Sequence, residues 1–201
     1  MTPAQMTSLR RLKKLLPGEI RLEPHRLTAY AGDKWFASHQ PDAVALPRTT
    51  QSVAKILRFA NQHKIPVTAR GGGYGYVGGC VPMQGGIVLS LERMNRLKEI
   101  NPADFVAVVQ PAVNTQAFQE AVEKLGLFYP PDPASRAHNS IGGNIATNAG
   151  GPRCLKYGVT RDYVLGLEVV LADGTICRLG GRTHKNKTGL DLHRLFVGSE
   201  G

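Results

Sequence analysis

Apolar residues recur along this chain in two periods, and the alternation between them sets out its elements. Leu9, Leu12 and Leu16 share one face of residues 6–16, with Arg10, Lys13 and Lys14 turned away, which predicts a short amphipathic helix closed by Pro17 and Gly18. Ala43 to Pro47 is a brief apolar run ended by proline. Thr49 or Thr50 can then cap a helix whose Val53, Ile56, Leu57 and Ala60 keep the i, i+3, i+4, i+7 spacing, ending near His63. Ile65 to Ala69, entered through Pro66, has the β-branched content of a strand and runs directly into a glycine-rich loop. Strand, helix, strand at this spacing predicts a βαβ unit with a parallel pair.

Ile87 to Leu91 and Phe105 to Gln110 read as further strands. Asn114 or Thr115 caps a second helix with Phe118, Ala121, Val122 and Leu125 inward and Gly126 as its stop. Tyr129 to Ser135 holds three prolines within four positions, which fix φ and remove donors, so it is a rigid loop. Val164 to Ala172 and Thr175 to Leu179 flank Asp173-Gly174, a strong hairpin signal. The pattern predicts an α+β protein: an N-terminal helical segment (1–41), a first lobe with a small parallel sheet (42–98) and a second, mainly antiparallel lobe (99–201).

Composition narrows this little. The 201 residues, 42% hydrophobic and 20% charged, suffice for one domain or two small lobes; 23 glycines and 13 prolines exclude a helical bundle and show no collagen period. A net charge of +10 suits an anionic partner, from a phosphate-bearing cofactor to nucleic acid or an acidic membrane. The basic runs at Arg10 to Arg26 and Arg178 to Arg194 lack interleaved aromatics, so a solvated basic face is the plainer reading. Cys80, Cys154 and Cys177 form no CxxC pair, which argues against a disulfide framework or structural zinc and for a reducing compartment. No secretory h-region and no run of ~18 apolar residues is present, so the expectation is a cytoplasmic protein without a transmembrane segment, with peripheral membrane contact left open.

Two glycine-rich stretches carry the chemistry. Arg70 to Gly79 has six glycines in ten residues directly after a strand, the composition in which main-chain N–H groups converge on a phosphate. Gly73 to Gly78 fits GxGxxG, with Glu92 19 residues beyond Gly73, but the residues that follow cannot open a helix, so a Rossmann site is rejected. No GK[ST] follows, which rejects a P-loop. Ile141-Gly-Gly-Asn-Ile-Ala-Thr-Asn-Ala-Gly-Gly151 buries little side-chain area, so its use is close approach of backbone to another segment or to a flat ligand.

These residues resemble the FAD-binding domain of flavoproteins of the vanillyl-alcohol oxidase and para-cresol methylhydroxylase (PCMH) type, in the branch of the glycolate oxidase subunit and D-lactate dehydrogenase. The resemblance spans about residues 42–201. It rests on Pro47-Arg-Thr-Thr, Ile65-Pro-Val-Thr-Ala-Arg-Gly-Gly-Gly73, Pro130-Pro-Asp-Pro-Ala-Ser135, the 141–151 run, Tyr157-Gly158 with Arg161-Asp162, Asp173-Gly174-Thr175, and the stretch from Lys187 to Gly201. It implies that Arg70, Gly71, Gly72, Gly73, Tyr74, Gly75, Gly78 and Gly79 cradle the FAD pyrophosphate. Pro131, Asp132 and Ser135, then Ile141, Gly142, Gly143, Asn144, Thr147, Asn148, Gly150 and Gly151, and finally Gly198, Ser199, Glu200 and Gly201, would line the rest of a cofactor extended between the lobes.

Tyr74 stands where relatives that tether flavin through the glycine loop carry histidine, and no cysteine precedes Gly142 in the nearby loop, so the resemblance implies non-covalent FAD. It also implies that the chain stops before the substrate domain. No catalytic residue and no metal ligand is therefore expected here, and His184 and His193 read as ordinary surface histidines. The parent enzyme would oxidise a 2-hydroxy acid such as glycolate or D-lactate by hydride transfer to flavin, with an electron-transfer partner subunit as a further expectation. The alternatives are a reductase of the UDP-N-acetylenolpyruvoylglucosamine type, a flavoprotein subunit needing a partner chain, and a basic nucleic-acid-binding module, which would be colourless and release its ligand steeply with salt.

Overall fold

The computed structural model describes residues 1–201. They divide into two compact units, one of residues 1–93 and 170–177, the other of residues 94–169 and 178–201.

The first unit opens with α1 (Pro3–Leu15), which starts earlier than its apolar spacing alone predicts. The reason is a reciprocal cap: Gln5 N–H donates to Thr2 Oγ1 (3.3 Å) and Thr2 N–H donates to Gln5 Oε1 (2.9 Å), with Pro3 preset for the first turn. Leu9 and Leu12 are its buried contacts. After β1 (Ile20–Arg21) and the single turn α2 (Pro24–Leu27) come β2 (Ala43–Ala45), α3 (Thr50–Gln62), β3 (Val67–Arg70) and β4 (Ile87–Ser90). Thr49 caps α3 by accepting from Ser52 N–H at 3.1 Å, as its position predicts.

The sheet order is β1-β2-β4-β3, with β4 parallel to both β2 and β3 and β1 antiparallel to β2. The strands flanking α3 are thus parallel but not adjacent. The pair expected between them is opened by β4, whose four residues are all buried. A strand covered on both faces belongs at the centre of a parallel sheet.

In the second unit β5 (Leu97–Asn101) and β6 (Val106–Val109) pair antiparallel, with a bulge between Leu97 and Glu99. α4 (Thr115–Glu123) is capped by Asn114, whose Oδ1 accepts from Ala117 N–H at 3.0 Å. Its Phe118 and Val122 pack with Val113 and Ile141 as this unit's core. α5 (Ile141–Thr147) and the single turn α6 (Cys154–Tyr157) follow. β7 (Gly166–Val170) and β8 (Ile176–Gly180) form the hairpin expected around Asp173-Gly174, whose residues 170–177 count with the first unit, its turn closed by Gly174 N–H donating to Leu171 O at 2.8 Å. No helix is long and apolar enough to cross a membrane.

Candidate functional site

In the first unit the candidate loop leaves β3 at Arg70. Gly73 has φ +75°, a left-handed conformation that favours glycine at this turn. The amides of Gly71, Gly72, Gly73 and Gly75 donate no hydrogen bond within the protein. A Cβ on Gly75 would meet nothing within 4 Å, so that glycine leaves open space beside the free amides. The far end of the loop is tied down: Gly78 N–H donates to Asp33 Oδ2 at 3.0 Å, Asp33 Oδ1 accepts from Trp35 N–H at 2.8 Å, and Lys34 N–H donates to Gly75 O at 3.3 Å. Asp33 gave no functional signal in the sequence, yet it holds the loop's shape. Tyr74 and Tyr76 face this same segment, through Lys34 Nζ 5.3 Å from the Tyr74 ring and Trp35 5.7 Å from Tyr76. Gly79 ends the loop exposed.

Arg70 lies inside this loop. Its guanidinium donates to Gly32 O (2.6 Å) and to Cys80 Sγ (3.4 Å) and occupies the space that a Gly73 side chain would need. It shapes the cradle and places a positive charge beneath it. Glu92 accepts from Tyr30 Oη and Ser90 Oγ, and no helix forms between β3 and β4; both facts agree with rejecting the Rossmann reading.

The second unit brings together the three other candidate segments. Seven of the eleven small residues from 141 to 151 form α5, a helix that apolar periodicity does not announce because two of its first three residues are glycine. Ser140 caps it through Gly143 N–H (3.3 Å), and Asn148 ends it in the left-handed conformation at φ 49°. Its start is pinned by Gly142 N–H donating to Pro111 O at 2.7 Å and Ile141 N–H to Val113 O at 2.9 Å. Its last carbonyls also accept from the 198–201 segment: Ile145 O takes Gly198 N–H (2.9 Å) beside Asn148 N–H of the cap (3.2 Å), and Ala146 O takes Glu200 N–H (2.8 Å). Ser199 Oγ donates to Phe196 O at 2.8 Å, so this segment's donors serve the helix and its own turn, up to the exposed Gly201.

The proline loop closes on α4. Gln119 Nε2 holds the carbonyls of Tyr129 (3.2 Å) and Pro131 (2.8 Å). Asp132 pairs with Arg153 (3.2 Å) and lies where a Gly151 side chain would stand. Ser135 Oγ accepts from Asn139 Nδ2 at 3.0 Å. Asn144 is buried, its Nδ2 donating to Thr115 Oγ1 at 2.7 Å, and Thr147 Oγ1 donates to Gly143 O; both stabilise the helix. The amides of Gly150 and Gly151 donate to no protein group.

Tyr129 packs edge-on against Phe118 and Tyr163, and burial pushes its phenol up to about 12. Folding therefore favours the neutral phenol. The stability it contributes is whole below its ordinary value of 10 and is lost as pH rises toward 12. Tyr129→Phe is expected to remove this alkaline loss, worth roughly 2 kcal/mol between those limits, in urea titrations compared from pH 9 to pH 12.

His184 is exposed as expected, but His193 is not a surface residue: it is 5% exposed, and its Nδ1 has no partner. The 3-10 turn Leu192–Leu195 buries it against Gly180, whose Cβ would stand 3.0 Å from that nitrogen. No group of three or more His, Cys, Asp or Glu is arranged to hold a metal ion.

The family model described as an FAD binding domain matches residues 41–180. The glycolate oxidase subunit GlcD of Bacillus subtilis (strain 168) is 53% identical over 161 residues, 80% of this chain and 34% of that protein. The D-2-hydroxyglutarate dehydrogenase of Stutzerimonas stutzeri (strain A1501) is 40% identical over 201 residues, 99% of this chain and 43% of that protein. Among solved structures, p-cresol methylhydroxylase with substrate bound superimposes with a TM-score of 0.80 at 26% identity, covering 98% of this chain and 41% of its own. The chain thus spans 34% to 43% of the length of these two curated relatives.

Proposed function

The chain belongs to the FAD-binding domain family, and from that premise we propose that it is the flavin-holding part of an FAD-linked enzyme that oxidises a small 2-hydroxy acid such as glycolate or D-lactate. The observation that carries the reading is the loop after β3, where four glycine amides have no protein partner and Gly75 leaves open space beside them. Unpaired N–H groups on neighbouring glycines fit a pyrophosphate, because each can donate to an anion oxygen without a side chain intervening.

Bound FAD supplies the hydride acceptor; the protein supplies binding, orientation and electrostatics. Gly71, Gly72, Gly73 and Gly75 would hold the phosphates, with Arg70 adding positive charge beneath the loop. Gly150 and Gly151 offer two further free donors in the second unit, where α5, Asp132, Ser135 and the 198–201 segment fix the backbone around them. Relatives that tether flavin through the glycine loop carry histidine where this chain has Tyr74, so the cofactor is held without a covalent bond, and acid precipitation would leave all yellow colour in the supernatant. The three cysteines are free, which suits a reducing, cytoplasmic setting. The names of the curated relatives support a 2-hydroxy acid as substrate, and an electron-transfer partner subunit belongs to the same reading.

The test is anaerobic addition of glycolate, D-lactate and D-2-hydroxyglutarate to the full-length FAD-loaded enzyme. One of them should bleach the visible flavin band. Bleaching by dithionite but by no 2-hydroxy acid would sink the substrate assignment.

A further inference from the structure

We infer that the turn bearing Trp35 and Phe36, together with Tyr76 and Val77 of the glycine-rich loop, is a docking patch that seats in the headgroup region of an anionic bilayer. The inference does not depend on the cofactor reading. Trp35 and Phe36 precede residues 41–180, the part that the FAD binding domain family matches, and none of the four is a candidate cofactor residue.

Exposure marks the patch. Phe36 is 83% exposed, Val77 78%, and Trp35 and Tyr76 61% each. Apolar side chains scattered singly over a surface need no explanation, but these are gathered. The Trp35 and Phe36 rings lie 4.6 Å apart, and Trp35 meets Tyr76 edge-on at 5.7 Å. The patch is also preformed. Gly32 and Ser38 bridge antiparallel, and Asp33 N–H donates to Ala37 O at 3.2 Å, which folds residues 32–38 into a turn with Trp35 and Phe36 at its tip. Asp33 fastens that turn to the loop, one carboxylate oxygen taking Trp35 N–H and the other Gly78 N–H. Segments held in place this way have little backbone freedom left to lose when they meet a partner.

Charge selects the occupant. No acidic residue occurs from Lys34 to Pro41 or from Gly71 to Gln84, and both oxygens of Asp33 are engaged. Lys34 is exposed beside the rings, and the whole chain carries a net charge of +10. Tryptophan and tyrosine favour the boundary between headgroups and acyl chains, where an apolar ring keeps one wetted edge, and cations add attraction to anionic lipid. A neutral protein partner would meet the rings equally well but leave the positive charge unanswered.

The experiment sediments the purified chain with vesicles of phosphatidylcholine alone and of phosphatidylcholine with phosphatidylglycerol in equal parts, and follows the emission of Trp35, the single tryptophan. The chain should bind the mixed vesicles with Trp35 emission shifted to the blue, and bind phosphatidylcholine about tenfold more weakly. Phe36→Ser should weaken binding to the mixed vesicles by about tenfold, the scale of one large apolar side chain withdrawn from the bilayer. Lys34→Glu should weaken it by about as much. Both side chains are exposed, so neither variant should melt below wild type. Binding with Trp35 emission unmoved, or binding that Phe36→Ser leaves at wild-type strength, assigns the vesicle contact to another basic surface and overturns the inference. Equal binding to the two vesicles overturns its anionic partner, and binding to neither overturns it altogether and leaves the rings as a protein-docking surface. FAD titration of Phe36→Ser keeps the two readings apart: its FAD affinity should equal that of wild type, whichever way the vesicle result falls.

Discussion

Gly142→Ala is expected to destabilise the unit containing α5 by about 3 kcal/mol, the upper part of the usual range for overpacking. Helix propensity alone predicts the opposite sign, because alanine in an unconstrained helix gains about 1 kcal/mol over glycine. Packing decides. A Cβ at residue 142 would stand 2.6 Å from Pro111 Cβ, 2.9 Å from Pro111 O and 3.0 Å from Pro111 Cα. Those are backbone and ring atoms, and the Gly142 N–H to Pro111 O bond at 2.7 Å holds the two segments at that separation. With α5 displaced, the carbonyls that receive Gly198 and Glu200 move too, so FAD affinity should fall along with stability. Urea unfolding checks this through a lower midpoint at unchanged slope. A variant as stable as wild type would mean that α5 is not pinned against Pro111.

Gly75→Val is expected to behave in the reverse way, leaving the apoprotein's melting unchanged and weakening FAD by roughly 10- to 100-fold, the equivalent of about 1 to 3 kcal/mol of steric conflict. No protein atom lies within 4 Å of a Cβ at residue 75, and its φ is not in the left-handed region, so the fold does not require glycine there. The pyrophosphate does, if the free amides of Gly71, Gly72, Gly73 and Gly75 hold it. Calorimetric titration with FAD, beside a thermal melt, separates the two effects. Unchanged affinity would remove Gly75 from the cofactor site.

These two glycines show what could be read before any coordinates. That both stretches serve close backbone approach follows from their composition, but which glycine faces protein and which faces ligand does not, because Pro111 and Gly142 meet only in the folded chain. α3 and α4 were legible because Thr49 and Asn114 are local caps preceding clear apolar periods, and the Asp173-Gly174 turn is likewise a local signal. α5 was not, since its two glycines hide a helix that Ser140, Pro111 and the 198–201 segment support from outside. The central place of β4 was hidden for a related reason: a four-residue apolar run announces a strand but not its neighbours. Asp33 acts on Gly78 across 45 residues of sequence, so it left no pattern. His193 was misread because a lone histidine in a basic stretch looks solvated.

The most direct test is titration of the apoprotein with FAD, followed by both flavin absorbance and tryptophan emission. Trp35 is the single tryptophan and packs 5.7 Å from Tyr76 in the glycine loop. A saturable one-to-one binding that turns the protein yellow and quenches Trp35, and that Gly75→Val weakens, is the predicted result. A protein that stays colourless at every FAD concentration, with Trp35 emission unmoved, would contradict the account.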